Sequence, residues 1–221
     1  MNFVVAAIAC GAFAVAAVAQ PVITPCEQAA VQAEQASGLP PGLLRAIGTV
    51  ESGRWDALLG RRTPWPWSIN AAGQGQQFGS KDQAIRETAA LWASGQRAID
   101  VGCFQINLRH HPAAFTGLEQ AFDPTANGLY AARFLNDLRG RLGSWDAAVA
   151  SYHSADPARG EAYRQLVFAS WTTPANAIVP APPWTPPETG IRIWTPSPEG
   201  TAPNVVKVGR GAMPAAIART N

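Results

Sequence analysis

Charged side chains are few in this chain, and those present are nearly balanced in sign. Charged residues make up 14% of the 221-residue sequence and hydrophobic residues 47%, with a formal net charge of +2. This composition is typical of an ordinary globular domain and excludes a highly charged, disordered chain. The sequence also lacks the concentrated positive charge with which proteins bind nucleic acid, so we expect no nucleic-acid partner.

Long apolar runs are absent after the first twenty residues, so no later segment is expected to cross a bilayer. Residues 1–20 contain no charged side chain, and Ala17-Val18-Ala19 forms a small-residue cleavage pattern. We therefore predict a signal peptide over residues 1–19 and export to the periplasm. Because the segment has no Lys or Arg at its start, an uncleaved membrane anchor is an alternative, and a lipoprotein site at Cys10 is another.

Cysteine is scarce, with three residues in the whole chain. Removal of the signal peptide would take Cys10 away and leave Cys26 and Cys103. Two cysteines in an exported chain favour one disulfide, and closing so long a loop is worth roughly 4 kcal/mol in the chain-entropy account. The alternative is two unrelated buried thiols.

Histidine is equally scarce and does not form a metal-binding pattern. The three histidines are His110, His111 and His153. Adjacent histidines point to different faces of an element, and no spacing typical of metal ligands is present. We therefore expect neither a metal nor another cofactor.

Proline is unevenly distributed and becomes dense from Thr172 onward, where periodic apolar residues are few. This composition predicts a disordered or polyproline-like tail over residues 172–221. Residues 20–171 before it have the length of a single domain. Trp184 and Trp194 in the tail could dock on a cell-envelope partner or on the domain itself, although a flexible extension is the simpler interpretation.

The patterns between signal peptide and tail predict a mainly helical domain. Residues that commonly begin or end helices stand beside amphipathic runs at six places: Gly38, Pro40, Gly53, Ser80, Asp123 and Ser144. A last helix is predicted in the segment ARGEAYRQLVFASW. Residues 63–78 are the exception, because their prolines forbid a helix, and Gly73 and Gly75 indicate a turn between two short strands.

A glutamate lies on the apolar face of the second predicted helix, in the segment AIGTVESGRWD. Glu51 follows Ile47 by four residues and Leu44 by seven, so it shares their stripe. Apolar surroundings and the negative end of the helix dipole both disfavour the ionised carboxylate and raise its pKa. A carboxyl group that keeps its proton at neutral pH can act as a general acid. On this helix alone, a surface glutamate paired with Arg45 or Arg54 is the alternative.

Three separated segments occur in the order of a known set of enzyme motifs. They are Glu51-Ser52, DVGCFQIN at residues 100–107 and AVASYHS at residues 148–154. With them the chain resembles the lytic transglycosylases of the lysozyme-like (goose-lysozyme-type) fold, in which a Gly-x-x-Gln-Ile block and an Ala-x-x-x-Tyr-Asn block occupy the second and third places. The resemblance covers residues 26–171 and implies a mainly α domain with a small β-hairpin insertion. His153 departs from the pattern, since many members have Asn there.

The resemblance implies cleavage of the β-1,4 bond between N-acetylmuramic acid and N-acetylglucosamine in peptidoglycan. Glu51 would protonate the leaving glycosidic oxygen as general acid. As the base, it would then take the proton of the muramyl 6-hydroxyl, which attacks and closes a 1,6-anhydro ring. Because that hydroxyl is tethered to the sugar, the family does without the second carboxylate of ordinary glycosidases.

The resemblance also implies roles for several polar side chains. Tyr152 would hydrogen-bond to Glu51 and orient it, and Gln105 would hold acetamido or hydroxyl groups of the substrate. The other substrate-binding candidates are Ser52, Asn70 and Asn107. Of these, Ser52 is expected to secure the helix end rather than touch sugar. The alternatives are a core tyrosine with a satisfied hydroxyl at 152 and a side chain bonded to loop backbone at 105.

Two rival functions stay open on the sequence. A muramidase would use water and a second carboxylate as base, for which Asp56 and Asp100 are candidates, although Asp100 is expected instead to cap a short helix at VGCFQIN. A non-catalytic glycan-binding or assembly protein is the other rival, although binding alone requires no acid at residue 51. In every case the expected partner is peptidoglycan, and the domain is expected to be a monomer.

Overall fold

The computed structural model of the protein describes residues 22–172, so the predicted signal peptide and residues 173–221 of the predicted tail lie outside it. Within the described part the elements are α1 (Pro25–Ser37), α2 (Leu43–Ser52), β1 (Gly53–Asp56), β2 (Arg61–Pro64), β3 (Ser68–Ala71), β4 (Gln74–Gln77), α3 (Lys81–Ala93), β5 (Ile99–Val101), β6 (Ile106–Asn107), α4 (Leu118–Ala121), α5 (Pro124–Leu142), α6 (Trp145–His153) and α7 (Pro157–Thr172). The prediction of a mainly helical domain is confirmed. None of these helices is long and apolar enough to cross a membrane.

The capping residues set the helix boundaries largely as predicted. Gly38 ends α1 in the left-handed conformation, with φ 65°. The side chains of Ser80, Asp123 and Ser144 each accept a backbone N–H at the start of α3, α5 and α6. At the other end of the chain, α7 includes Thr172, which the sequence analysis assigns to the tail.

The helix that carries Glu51 is held at its N-terminus by a side chain of α1. Its N-cap residue, Gly42, has no side chain with which to cap the helix. The buried Glu34 carboxylate instead accepts hydrogen bonds from the backbone N–H groups of Gly42, Leu44 and Arg45, at 2.7, 2.8 and 3.1 Å. A negative charge here also lies at the positive end of the helix dipole. The two helices are therefore fixed against each other at this point.

Two apolar clusters form the core. The larger lies among α1, α2, α5, α6 and α7, and the smaller lies between the four-stranded sheet and the segments around α3 and α4. The fully buried ring of Phe104 enters the larger cluster from the β5–β6 turn. A Cβ at Gly48 of α2 would lie 2.9 Å from this ring, and one at Gly128 of α5 would lie 3.1 Å from it. The two helices approach the ring closely because both positions lack a side chain.

The strands form a two-stranded sheet, β1-β2, and a four-stranded sheet in the order β4-β3-β5-β6, both antiparallel. The β3–β4 pair, which turns at Ala72 and Gly73, is the predicted hairpin. The segment DVGCFQIN, however, forms β5, a turn and β6, so the prediction of a short helix capped by Asp100 is wrong. Strand geometry is favoured because Ile99 and Val101 are both fully buried beside β3, with Asp100 between them on the opposite face.

A disulfide joins Cys26 to Cys103, as the cysteine count predicts. Both residues are fully buried, and their Cα atoms lie 5.7 Å apart. The bond connects the first turn of α1 to the β5–β6 turn, across a sequence separation of 77 residues. It therefore anchors the turn that carries Gln105.

Candidate active site

Glu51 lies in the last turn of α2, and its carboxyl group is partly buried between that helix and the elements packed against it. Burial raises the pKa of Glu51 to about 8; an interaction with Tyr163 opposes this rise, and the charge of Asp100 adds to it. The predicted rise is confirmed, and burial is its main cause. The Asp100 carboxylate also raises the pKa of Glu51, and the sequence analysis did not connect these two residues. At neutral pH the carboxyl group keeps its proton.

The tyrosine whose hydroxyl acts on the pKa of Glu51 is Tyr163 of α7, and not Tyr152 of α6. The Tyr152 hydroxyl donates to the backbone carbonyl of Phe104, at 2.9 Å, so the predicted hydrogen bond from Tyr152 to Glu51 is wrong. The buried Tyr163 hydroxyl lowers the pKa of Glu51, although the contact is looser than a full hydrogen bond. Catalytic contacts are often loose before substrate binds. Tyr163 was missed because only the packing of α7 against α2 brings it to the site.

Ser52 secures the end of α2, the role preferred for it on the sequence. Its side chain is 3% exposed, and its hydroxyl donates to the carbonyl of Cys103, at 2.7 Å. The same oxygen accepts the backbone N–H of Trp65, at 3.1 Å. With so little exposed surface, Ser52 positions Glu51 relative to the β5–β6 turn and offers little to a sugar.

Gln105 lies in the β5–β6 turn with a left-handed backbone, at φ 49°. Its side-chain Nε2 donates to the carbonyls of Gly102 and Ser68, at 2.9 and 3.1 Å, which is the loop-to-backbone arrangement left open above. A left-handed non-glycine residue is strained by about 1 kcal/mol or more, and such strain is common at functional sites. These two bonds fix the side chain in place, and its Oε1 accepts no donor from residues 22–172.

The turn is held from behind by Asn127 of α5, a residue that the sequence analysis does not single out. Its fully buried side chain accepts the N–H of Phe104 at 2.9 Å and donates to the carbonyls of Val101 and Ala121, at 3.1 and 3.0 Å. Gly102 must be glycine here, because its φ is 82° and a Cβ would lie 2.5 Å from Asn127 Nδ2. The loop that carries Gln105 is thus rigidly supported.

Three polar residues form a row across the four-stranded sheet. Asn70 of β3 pairs with Asp100 of β5, which in turn pairs with Asn107 of β6. Directly paired residues point to the same face of a sheet, so this row, which we call the polar row, lies on one side. The structure therefore brings Asn70 and Asn107 together, and it places between them the carboxylate whose charge acts on Glu51.

His153, which replaces the family's Asn, stacks on the ring of Tyr163 with 4.8 Å between ring centroids and an interplanar angle of 9°. Burial lowers the pKa of His153, and the Asp100 charge acts in the opposite direction. The imidazole thus lies beside both groups that act on Glu51. In residues 22–172 no group of His, Cys, Asp or Glu is arranged to hold a metal ion.

Asp56, the other carboxylate considered as a base, has a different environment. It ends β1, and its Oδ1 accepts the backbone N–H groups of Leu58 and Leu59, at 3.0 and 3.1 Å. Its charge acts on Arg54 and is not among those that shift the pKa of Glu51. Of the two carboxylates, only Asp100 is coupled to the candidate acid.

Comparison with known proteins agrees with the motif order. Residues 28–165, more than half of the chain, match the family model of the transglycosylase SLT domain. The matched range contains helix α2 with Glu51, the β5–β6 turn, Tyr152 and Tyr163. No curated protein and no solved structure matches the chain. The chain therefore belongs to the transglycosylase SLT domain family, which is lysozyme-like in fold and acts on peptidoglycan.

Proposed function

We propose that this protein is an exported peptidoglycan lytic transglycosylase. It cleaves the β-1,4 bond between N-acetylmuramic acid and N-acetylglucosamine and leaves a 1,6-anhydro ring on the muramyl residue. Family membership supports transglycosylase activity on peptidoglycan in general. The observation that supports Glu51 as the catalytic group is its pKa of about 8, which keeps the carboxyl group protonated at neutral pH.

Glu51 serves twice in the proposed reaction. Its proton passes to the glycosidic oxygen as the bond from the muramyl C1 breaks, and the departing N-acetylglucosamine leaves with a free hydroxyl. The muramyl 6-hydroxyl oxygen then bonds to C1, and its proton returns to the Glu51 carboxylate. No water is consumed, and the carboxyl group ends in the protonation state in which it began.

The remaining site residues orient acid and substrate. The Tyr163 hydroxyl makes a loose contact with the Glu51 carboxyl that would tighten when substrate binds, and Tyr152 supports the β5–β6 turn through the Phe104 carbonyl. Gln105 presents a fixed amide whose Oε1 can accept an N–H from the substrate's acetamido group. Asn70 lies in the same sheet as a further polar contact for the sugar.

We place the enzyme in the periplasm as a monomer that acts on glycan strands without a cofactor. This rests on the uncharged segment over residues 1–19 and on the Cys26–Cys103 disulfide, because disulfides persist in oxidising compartments. An uncleaved segment would hold the enzyme at the membrane. The proline-rich residues 172–221 are the part through which a cell-envelope partner would recruit it.

The masses of the reaction products test this function. Peptidoglycan digested by the full-length protein is expected to yield muropeptides with anhydro ends, lighter by one water than reducing-end products. A muramidase on the same fold would give reducing ends, and a purely binding protein would release no fragments. Either result, from mass spectrometry of a digest run beside a known transglycosylase, would contradict the proposal.

Replacement of Tyr163 by Phe is expected to shift the alkaline limb of the pH–activity profile to higher pH. The reason is that the Tyr163 hydroxyl lowers the pKa of Glu51, so its removal makes the carboxyl group hold its proton more tightly. Because this hydroxyl has no full hydrogen-bond partner within residues 22–172, its loss should leave stability nearly unchanged.

The matched control for this variant is Tyr152→Phe. It should cost about 1 kcal/mol of stability through the lost bond to Phe104 and leave the alkaline limb in place. Turbidity loss of peptidoglycan suspensions across pH and urea unfolding provide the two measurements. A limb that stays in place in Tyr163→Phe, or moves in Tyr152→Phe, would reverse the assignment of the two tyrosines.

A further inference from the structure

An apolar cavity lies between α3 and the loop that follows β6, and none of the groups assigned to the reaction lines it. Its volume is about 480 Å³, which is within the range of ligand pockets in proteins. Helix α3 lines it with Ala89, Trp92 and Ala93, and the loop and α4 add further apolar side chains, including Phe115. Ala89 and Ala93 are one turn apart, so the helix presents two small side chains to the same space.

The side chains that line this cavity are held in place and are uncharged. The guanidinium of Arg97 lies over the Trp92 ring, 4.8 Å from its centroid, and Arg97 also donates to the Trp92 carbonyl. His111 is the ionisable residue of the lining, and its Nδ1 lies 2.9 Å from the Tyr130 hydroxyl. Burial lowers the pKa of His111, and His110 lowers it further, so the imidazole is neutral at neutral pH. A sugar would find few hydrogen-bond partners here, whereas an apolar side chain would be surrounded by apolar contacts.

The predicted tail contains an apolar segment of matching chemistry. Residues 191–198 have the sequence IRIWTPSP, in which two isoleucines and Trp194 come before two prolines. Aromatic-lined grooves commonly bind proline-containing peptides. A tryptophan buried in a pocket is a typical anchor of a protein contact. The chain therefore carries both an apolar cavity and a segment with the chemistry to fill it.

The distance from the end of α7, where the tail starts, to the cavity can be bounded. The His111 ring lies 4.7 Å from that of Phe134, and the Phe134 ring lies 5.3 Å from that of Tyr152. The Tyr152 ring in turn lies 6.5 Å from that of Tyr163 of α7, all measured between ring centroids. Nine helical residues, or about 13.5 Å, separate Tyr163 from Thr172. The end of α7 is therefore no more than about 36 Å from His111 in a straight line.

The tail is long enough to return to the cavity over the surface of the domain. The straight line passes through the rings packed on the larger apolar cluster, so the tail must follow a longer path around them. Trp194 follows Thr172 by 22 residues, which span about 68 Å at the polyproline rise of about 3.1 Å per residue. Trp184 follows Thr172 by 12 residues, which span about 37 Å, hardly more than the straight distance. The reach of the tail therefore favours Trp194.

We propose that residues 191–198 of the tail dock in this cavity of their own domain, with the Trp194 indole between α3 and Phe115. The contact goes beyond the proposed function, because no group of the reaction takes part in it. A segment tethered to the domain has an effective concentration on the order of 1 mM, so even a weak contact is largely formed. Docking holds the tail beside the sheet that carries Asn107, since the His111 N–H donates to the Asn107 carbonyl at 2.9 Å.

Backbone order parameters from nuclear magnetic resonance test this contact in the protein with its whole tail. In the wild type the Trp194 amide is expected to have an order parameter of about 0.8, close to that of rigid backbone, whereas an undocked tail gives values below about 0.6. Ala89→Leu places a larger side chain in the cavity, at an exposed helical position that leucine suits. This variant should lower the Trp194 order parameter to that of an undocked tail.

Ala90→Leu is the matched control, since Ala90 is also exposed on α3 but does not line the cavity. It should leave the Trp194 order parameter unchanged. Trp194→Ala and Trp184→Ala provide a second measurement, in which the sequence of residues 22–172 is unaltered. The indole N–H signal of Trp92 is expected to shift in Trp194→Ala and to stay in place in Trp184→Ala.

A Trp194 amide as mobile in the wild type as in Ala89→Leu would overturn the proposal and would leave the cavity to another partner. A Trp92 signal that changes with protein concentration would also overturn it, because that change would indicate a segment from a second copy. Neither measurement uses peptidoglycan, so the outcome does not depend on whether the enzyme forms anhydro ends.

Discussion

Glu51→Gln is expected to lower the release of anhydro-muropeptides by about 10³-fold while leaving sedimentation with peptidoglycan nearly unchanged. Glutamine has the size and polarity of the protonated acid, so it preserves the surface that meets the substrate. It carries no proton that can be donated to the leaving oxygen and gives no base afterwards. General acid–base catalysis is commonly worth 10²–10⁴-fold, and here one group performs both steps.

The comparison needs a second Glu→Gln variant away from the site. Glu87 of α3 is suitable, because its side chain forms no hydrogen bond or ion pair within residues 22–172. Fragment release is measured by chromatography and mass spectrometry, and binding by co-sedimentation. If Glu51→Gln released products at the rate of Glu87→Gln, residue 51 would not be the catalytic acid.

The same variant should change how stability depends on pH. The pKa of Glu51 is about 8 in the folded protein, against the ordinary 4.5, so the folded state binds this proton more tightly than the unfolded state does. Its contribution is therefore fully present below about pH 4.5 and is lost as pH rises to 8. The loss is at most about 1.4 kcal/mol per pH unit. Relative to wild type, Glu51→Gln should become progressively more stable between these limits, as urea unfolding would show.

Loss of the disulfide is expected to produce the largest change in stability. For the Cys26→Ala/Cys103→Ala double variant, a closed loop of this length predicts a decrease of about 4.5 kcal/mol in the free energy of unfolding. In a domain of this size that corresponds to a fall of roughly 10–15 °C in Tm. Activity should fall with it at the temperatures where the β5–β6 turn loosens, because Cys103 directly precedes the segment that carries Gln105.

Reduction provides the control for this prediction. A thiol reductant should lower the Tm of the wild type toward that of the double variant, and it should leave the double variant unchanged. Calorimetry with and without reductant measures both. Equal Tm values for oxidised wild type and double variant would show that the bond contributes nothing to stability.

The local features of the fold could be predicted from the sequence because their causes are local. Ser80, Asp123 and Ser144 bond to N–H groups three residues further along the chain, so short segments suffice to place these helix starts. The acid could be predicted for the same reason, since Glu51 and the apolar residues beside it lie on one helix. The disulfide could be predicted because only two cysteines remain after the predicted signal peptide and because the chain is predicted to be exported.

The parts of the site that were missed depend on contacts between distant segments. Tyr152 and Tyr163 lie on the last two helices of the domain. Only the packing of α7 on α2, with α6 packed against α7, decides which tyrosine hydroxyl acts on the pKa of Glu51. Asp100 was expected to cap a helix because the pairing of β5 with β3 cannot be recognised in a strand of three residues. Its charge acts on Glu51, which lies 49 positions earlier in the sequence, so no local pattern could indicate this interaction.

The contact of Phe104 with Gly48 and Gly128 has a consequence for how the enzyme can vary. Gly48 lies three residues before Glu51, and the ring it contacts immediately precedes Gln105. A methyl group at either glycine would press on the Phe104 ring and push Glu51 and Gln105 apart, although it would contact neither of these side chains. Substitutions at these two glycines can therefore lower activity, although neither glycine is among the proposed catalytic or substrate-binding residues. The Phe104 ring sets the distance between α2, which carries Glu51, and the β5–β6 turn, which carries Gln105.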